Sequence, residues 1–185
     1  NEPLVIFEDN VLAVTAFPLR HTVPVWGFLF KEKPRPRKIK PETISQYNIS
    51  IPEIHRIKHG ENLLRDYHEI QNDELTTESL PPRSYAFVTD TLITRQHNHL
   101  LQNVDVLYHE ATFLHNDLSL ARQTMHATAR QAAELANEIN AGQLLLGHFS
   151  SRYKSDDEFL NEALSYFKNV IVATDGLKIS WPVNT

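Results

Sequence analysis

The sequence predicts an α/β domain with its chemistry at the carboxyl edge of a sheet, and two observations carry this reading. Val104 to Tyr108 and Leu144 to Gly147 are short apolar runs that read as buried strands. The first leads into His109 and Glu110, the second into His148. Between them lies Ala-rich helical sequence from Thr128 to Ile139, with His126 on its N-terminal side. Buried strands that end on ionisable side chains are how an α/β domain sets reactive groups along one sheet edge.

The 185 residues suffice for one domain with a sizeable core. An apolar fraction of 41% and a charged fraction of 22% are those of a globular chain. No apolar run approaches the ~20 residues that a membrane span needs, and no basic-then-apolar start resembles a signal peptide. Cys is absent, which excludes disulfides and thiolate-held zinc and fits a reducing, cytoplasmic location. Any metal must then be held by carboxylates and by some of the 10 His residues. A net charge of −5 excludes a broadly basic nucleic-acid binder but leaves room for a local basic patch. The chain opens on Asn1 directly into strand-like sequence, and its single Met is Met125, so a processed or excised fragment is expected.

In chain order, Leu4 to Phe7 and Val11 to Phe17 read as strands joined by the turn residues Glu8, Asp9 and Asn10. Val23 to Phe30 reads as another strand, with Pro24 near its start. Lys31 to Lys40 changes character: Lys31, Lys33, Arg35, Arg37, Lys38 and Lys40 face one acid, Glu32, and Pro34, Pro36 and Pro41 keep the run extended. From Glu42 to Pro82 the sequence is polar and weakly periodic, with Arg56, Lys58 and Arg65 scattered through it. So long a segment between strands is an inserted arm or a mobile loop. Its charges suit either a solvated face or contact with phosphate backbone. Tyr85 to Val88 is a short strand, and Leu92 to Gln102 reads as loop and one helix in which His97 and His99 are surface residues. A helix is expected over His115 to Thr124, and another over Thr128 to Ile139 that packs closely through Ala129, Ala132, Ala133 and Ala136. Ser155 to Glu158 reads as a capping box opening a helix to about Phe167. Strands are expected at Val170 to Ala173 and Leu177 to Trp181, with a turn at Asp175-Gly176.

His21, Asp90 and His148 each follow a strand-like run, and two imidazoles with a carboxylate make a partial shell for zinc or manganese. Singly, each is equally a hydrogen-bonded surface or turn residue. Glu110 and His126 form a second pair, in which a carboxylate fixes the tautomer of an imidazole that handles a proton.

The blocks HEATF at 109–113, HATA at 126–129 and HFSSRY at 148–153 resemble the signature blocks of the ribonuclease Z family of the metallo-β-lactamase superfamily. FPLRHTVPVWGF at 17–28 and FVTDT at 87–91 follow the same order, so the resemblance runs from about Val11 to Ile179. It implies a four-layer αβ/βα sandwich with metal at one edge. This chain would supply the C-terminal half: a mixed sheet, its covering helices and, at 31–82, a protruding flexible arm. It implies a zinc-dependent endoribonuclease that trims the 3′ trailer of precursor tRNA. His21 and His148 would each ligate a zinc, Asp90 would bridge the two, and Glu110 and His126 would assist departure of the 3′ oxygen. The arm would grip tRNA through Lys31, Lys33, Arg35, Arg37, Lys38, Lys40, Arg56 and Lys58. Two departures stand out. IPEIHRIKHG at 51–60 replaces the family's Gly-Pro and Leu-Lys-x-Gly-like arm block, and His-x-His-x-Asp-His occurs nowhere in the 185 residues. Alone, the chain is therefore expected to lack activity, to hold an incomplete metal shell or none, and to bury an uncovered sheet face by forming a homodimer. Two other readings stay open: a different phosphodiesterase or arylsulfatase-like hydrolase of the superfamily, and a non-catalytic RNA-binding or dimerisation module.

Overall fold

The structure is a computed structural model describing residues 2–181. Three N-terminal strands, β1 (Leu4–Glu8), β2 (Leu12–Pro18) and β3 (Trp26–Glu32), form an antiparallel meander. The third strand starts beyond Pro24, whose ring has no amide hydrogen for the ladder. The segment that follows holds β4 (Lys38–Ile39), α1 (Pro41–Gln46), α2 (Ile51–Lys58), β5 (Leu63–Arg65), β6 (His68–Ile70), α3 (Asn72–Leu75) and β7 (Thr76–Thr77). The chain then re-enters the sheet with β8 (Ser84–Val88) and continues through α4 (Asn98–Leu101), β9 (Val106–Glu110) and α5 (Leu118–Thr124). Last come α6 (Ala129–Glu138), β10 (Gln143–Gly147), α7 (Asp157–Leu164) and β11 (Val170–Val172).

The chain divides into two compact units: Asn1–Glu32 with Arg83–Thr185, and Lys33–Pro82. The larger is a mixed sheet in the order β1-β2-β3-β8-β9-β10-β11, antiparallel up to β8 and parallel beyond it. The parallel order sets the carboxyl ends of β8, β9 and β10 side by side, and this fixes where the site forms.

The two sheet faces differ. On one, Leu29, Ala86, Val88, Leu107, Leu144 and Leu146 are buried with Ala129, Ala132, Ala133 and Ala136 of α6 in a single core. The small side chains let α6 approach closely, and Thr128 caps it by accepting from the Gln131 amide. On the other face the register lines up Phe28 with Phe87 and Phe30 with Tyr85, and continues through Phe87 to Tyr108. Phe87 and Tyr108 stack at 4.8 Å. These aromatic rings are only partly buried.

Several local expectations are corrected. The first-predicted buried strand begins at Val106, so His109 and Glu110 are its last residues instead of its sequel. His115 to Thr124 starts as a 3-10 turn over His115–Asp117 before α5. The Ser155 capping box does not form: Asp156 is the N-cap, without a side-chain cap, and α7 ends at Leu164. Among the described residues Leu177 to Trp181 form no strand; the turn at Asp175-Gly176 is present, with Gly176 at φ 83°.

The segment expected to be an arm or a loop is a compact unit with its own core of Ile49, Ile57, Leu63 and Leu75, flanked by Ile39, Tyr47, Ile54 and Ile70. Arg65 is its clasp. It donates to both Glu53 carboxylate oxygens at 2.8 and 2.9 Å and to the Tyr47 carbonyl at 2.9 Å. Arg65 and the Ser50 hydroxyl and amide hold the Glu53 carboxyl far below the usual carboxylate range.

His97, read as a surface residue, is 5% exposed, and neither ring nitrogen has a hydrogen-bond partner among the described residues. It packs against Phe17 and lines a small cavity with Leu19, Val88, Thr91, Leu101, His109 and Leu135. Burial pushes the basicity of both His97 and His109 below the ordinary histidine value. Their neutral forms are favoured only in the folded state. The stability they contribute is full above the unfolded value near 6.5 and is lost as pH falls below it, while the unfolded chain alone takes up the proton. His97→Leu should therefore raise stability at neutral pH by about 1 kcal/mol. It should also reduce the loss below pH 6.5 by as much as ~1.4 kcal/mol per pH unit. Chemical denaturation at pH 7.5 and 5.5 measures both.

Candidate active site

The site is built from strand ends and the loops that follow them. His21 lies in the β2–β3 loop, Asp90 just after β8, Glu110 at the end of β9, His126 between α5 and α6, and His148 just after β10. Two tethers hold the first two together: Leu92 N–H donates to the Arg20 carbonyl at 2.8 Å, and Arg20 N–H donates to the Thr91 hydroxyl at 3.1 Å. On the far side, Ala111 N–H donates to the Gly147 carbonyl and Ser150 N–H to the Thr112 carbonyl, joining the β9 and β10 loops. Gly147 is required by packing, since a Cβ there would lie 2.3 Å from the Tyr108 hydroxyl.

Glu110 is fully buried and is the centre of the arrangement. Its Oε1 accepts from Thr91 N–H at 2.5 Å and its Oε2 from the Thr112 hydroxyl at 2.5 Å and from Ala127 N–H at 3.2 Å. His126 Nδ1 lies 3.0 and 3.1 Å from the two oxygens. A carboxylate only accepts, so His126 carries a proton on Nδ1 and turns Nε2 outward. Thr112 also touches His148, whose Nδ1 lies 2.9 Å from its hydroxyl oxygen. His109, the first residue of the HEATF block, stays out of the site: it is buried, with Nδ1 on the Glu110 carbonyl at 2.7 Å.

The structure thus brings together all five residues singled out from the sequence. His148 Nε2 lies 3.2 Å from Asp90 Oδ1. The His126 ring meets His21 edge-on at 5.2 Å and His148 at 5.4 Å. His21, Asp90 and His126 present ligand atoms within 4.8 Å of one another, and so do Glu110, His126 and His148. Imidazole nitrogen and carboxylate oxygen at this spacing suit a divalent ion such as zinc or manganese. Asp90 and His148 both have positive φ, 51° and 61°. Non-glycine residues held there are concentrated at functional sites. His21 is less prepared: its Nδ1 accepts from Thr22 N–H at 2.8 Å, which places a neutral ring's proton on Nε2.

Sequence reasoning missed Thr91, Thr112 and Ala127. Thr91 and Thr112 stand inside the FVTDT and HEATF blocks, and that adjacency was the available signal. Several of the basic residues assigned to RNA contact are also engaged within the protein. Arg37 donates to the Thr76 hydroxyl at 2.7 Å and lies 3.7 Å from Glu78; Lys40 donates to the Asp73 and Glu74 carbonyls. Arg56 lies 3.6 Å from Glu61, and Lys31 and Lys38 are exposed.

No protein-family model matches the chain. Ribonuclease Z of Bacteroides fragilis is 42% identical over 177 residues, which is 95% of this chain and 58% of that protein. Ribonuclease Z of Bacteroides thetaiotaomicron is 39% identical over 180 residues, 97% and 57% respectively. The chain therefore spans a little over half the length of the curated relatives it matches. Among solved structures, the short form of human tRNase Z aligns with a TM-score of 0.59 at 21% identity, over 98% of this chain and 48% of that one. A metallo-β-lactamase-fold protein of Bacillus subtilis aligns at 0.60 and 16% identity, over 95% and 51%. Strand order, site and sequence point the same way: the fold is that of the metallo-β-lactamase proteins, and over 95% of its length the chain is similar to ribonuclease Z.

Proposed function

We propose that this chain is the C-terminal portion of a metal-dependent endoribonuclease that removes the 3′ trailer from precursor tRNA in the cytoplasm. The observation that carries the reading is the Glu110–His126 pair, buried at the carboxyl edge beside His21, Asp90 and His148. His21, Asp90 and His148 would hold the metal, two zinc ions in the complete site, and manganese is the alternative. When bound, such ions polarise a phosphoryl oxygen and acidify water. His126, held by Glu110 through Nδ1, presents Nε2 to the departing 3′ oxygen and delivers a proton there; the carboxylate stabilises the imidazolium that this requires. The dry setting of Glu110 strengthens that interaction.

The test joins these 185 residues to a segment carrying His-x-His-x-Asp-His and offers precursor tRNA. Trailer removal is expected from the joined protein and not from the 185 residues alone. His126→Ala should lower the rate ~10²- to 10⁴-fold. Cleavage of bis-p-nitrophenyl phosphate with precursor tRNA left intact would transfer the site to another phosphodiesterase of the fold. Cleavage of precursor tRNA by the 185 residues alone would refute the need for that motif.

Unit Lys33–Pro82, with Lys31 at the end of β3, is the proposed tRNA-gripping arm. Lys31, Lys33, Arg35, Arg37, Lys38, Lys40, Arg56 and Lys58 are its proposed phosphate contacts, of which Arg37, Lys40 and Arg56 also pair within the unit. Binding of tRNA should weaken as salt rises, and Lys38→Glu with Arg56→Glu should lower the log–log salt slope by about 1 per lost contact. An unchanged slope in filter-binding titrations would remove these residues from the interface.

The aromatic sheet face and the exposed edge strand β1, with Leu4 63% and Phe7 50% exposed, support a homodimer. Light scattering at micromolar concentration should return a mass above 21.3 kDa; a strictly monomeric mass overturns this.

A further inference from the structure

Thr112 stands between the two halves of the site, and its hydroxyl has a single proton to give. That hydroxyl lies 2.5 Å from Glu110 Oε2 and 2.9 Å from His148 Nδ1. The carboxylate has no proton of its own, so the short contact with Glu110 uses the hydroxyl hydrogen. With that hydrogen committed, the contact with His148 closes only if Nδ1 is the donor. We infer that Thr112 is a positioning residue: it fixes His148 in the Nδ1–H form, so that the Nε2 lone pair faces Asp90.

Two features make this a built relay instead of a chance contact. Thr112 is 7% exposed, so water competes little for its hydroxyl. Its carbonyl is held by Ser150 N–H at 3.1 Å, which locks the Thr112 backbone to the loop that carries His148. The chain of contacts runs His148 Nδ1–H to Thr112, Thr112 O–H to Glu110, and His126 Nδ1–H to Glu110. One carboxylate thereby sets the tautomer of both imidazoles, and both Nε2 atoms are turned away from it. The consequence is chemical: Nε2 of His148 and Oδ1 of Asp90, 3.2 Å apart, are both acceptors, and two acceptors at that distance need a cation to share. Ligand-orienting contacts of this kind govern metal affinity.

The metal consequence rests on the proposed function, whereas the tautomer requires neither metal nor RNA. Long-range 1H–15N correlation of the histidine rings in the metal-free chain, at a pH where His148 is neutral, reads the tautomer directly. Wild type should show Nδ1–H at His148. Thr112→Val should release the ring toward Nε2–H, and Thr112→Ser should restore the wild-type pattern. Zinc titration should then show ~10- to 100-fold weaker binding in Thr112→Val. Thr112→Ser should stay within about threefold of wild type. Nε2–H at His148 in wild type overturns the inference with no variant needed. So does a serine variant that folds, judged by its amide spectrum, yet behaves like the valine one. If the tautomer is as expected and zinc does not bind, the relay stands and the metal assignment falls.

Discussion

A buried carboxylate without Lys or Arg beside it is costly to hold, and this protein organises its sheet edge around one. Glu110 is removed from solvent and met by donors from Thr91, Thr112, Ala127 and His126. Hydrogen bonds to a charged group contribute roughly 1.5–3 kcal/mol each, enough in sum to offset desolvation of one carboxylate. The donors come from three separate segments: the turn after β8, the turn after β9 and the linker before α6. Satisfying Glu110 therefore closes those segments on one another. The same bonds that make the charge tolerable determine where His126 and His148 point.

This closure depends on the sheet beneath it. β8, β9 and β10 are parallel neighbours, so their carboxyl ends emerge together. α6 can bring His126 to the edge only because its alanine face lies close against Leu107, Leu144 and Leu146. A larger side chain at Ala132 or Ala133 would lift the helix and draw the His126 linker away from Glu110. Stability and site geometry are thus set by one packing contact. On the opposite face no helix is described; Leu177, Ile179 and Trp181 border it, lining a pocket with Tyr85, Tyr108 and Leu145. Its partly exposed phenylalanines and tyrosines leave apolar surface in water at a cost of ~25 cal/mol per Å².

What the sequence made readable was the edge. Buried strands announce themselves as uninterrupted apolar runs, and the ionisable residues that end them stand out against that background. Glu110 and His148 stand out for this reason, while His126 and the alanine face of α6 are read from the Ala-rich helical stretch at 128–139. The 33–82 unit was not. Its helices and strands span two to eight residues, too short to establish a period, and its core residues Ile49, Ile57, Leu63 and Leu75 are spaced irregularly. His97 was misjudged because a polar residue followed by Leu100 and Leu101 gives no sign of facing inward; only the tertiary contact with Phe17 buries it. Thr91 and Thr112 act through a backbone amide and a single hydroxyl, contacts that no residue-type pattern encodes. The expected capping box is replaced by a local alternative, in which the Ser155 hydroxyl bonds the Asp157 carboxylate and amide and the helix starts one residue later.

The positive φ angles of Asp90 and His148 follow from the same constraints. Each residue turns its side chain back over the edge directly after its strand, one residue past β10 for His148 and two past β8 for Asp90. Regular extended backbone would carry the side chain past the site. Left-handed geometry achieves the reversal at a cost of about 1–3 kcal/mol per residue. Gly147 eases the second reversal by leaving room for Tyr108 directly beneath it. Positive φ also occurs at Asp66 and Tyr67 in the β5–β6 turn; at the edge it falls on Asp90 and His148, which face each other at 3.2 Å. Met125, next to His126, is also held at positive φ, 64°. His21, on the antiparallel side, carries no such strain and keeps its Nδ1 on its own loop. The edge is therefore asymmetric: its parallel half is held by Glu110 and Thr112, whereas His21 is held within its own loop.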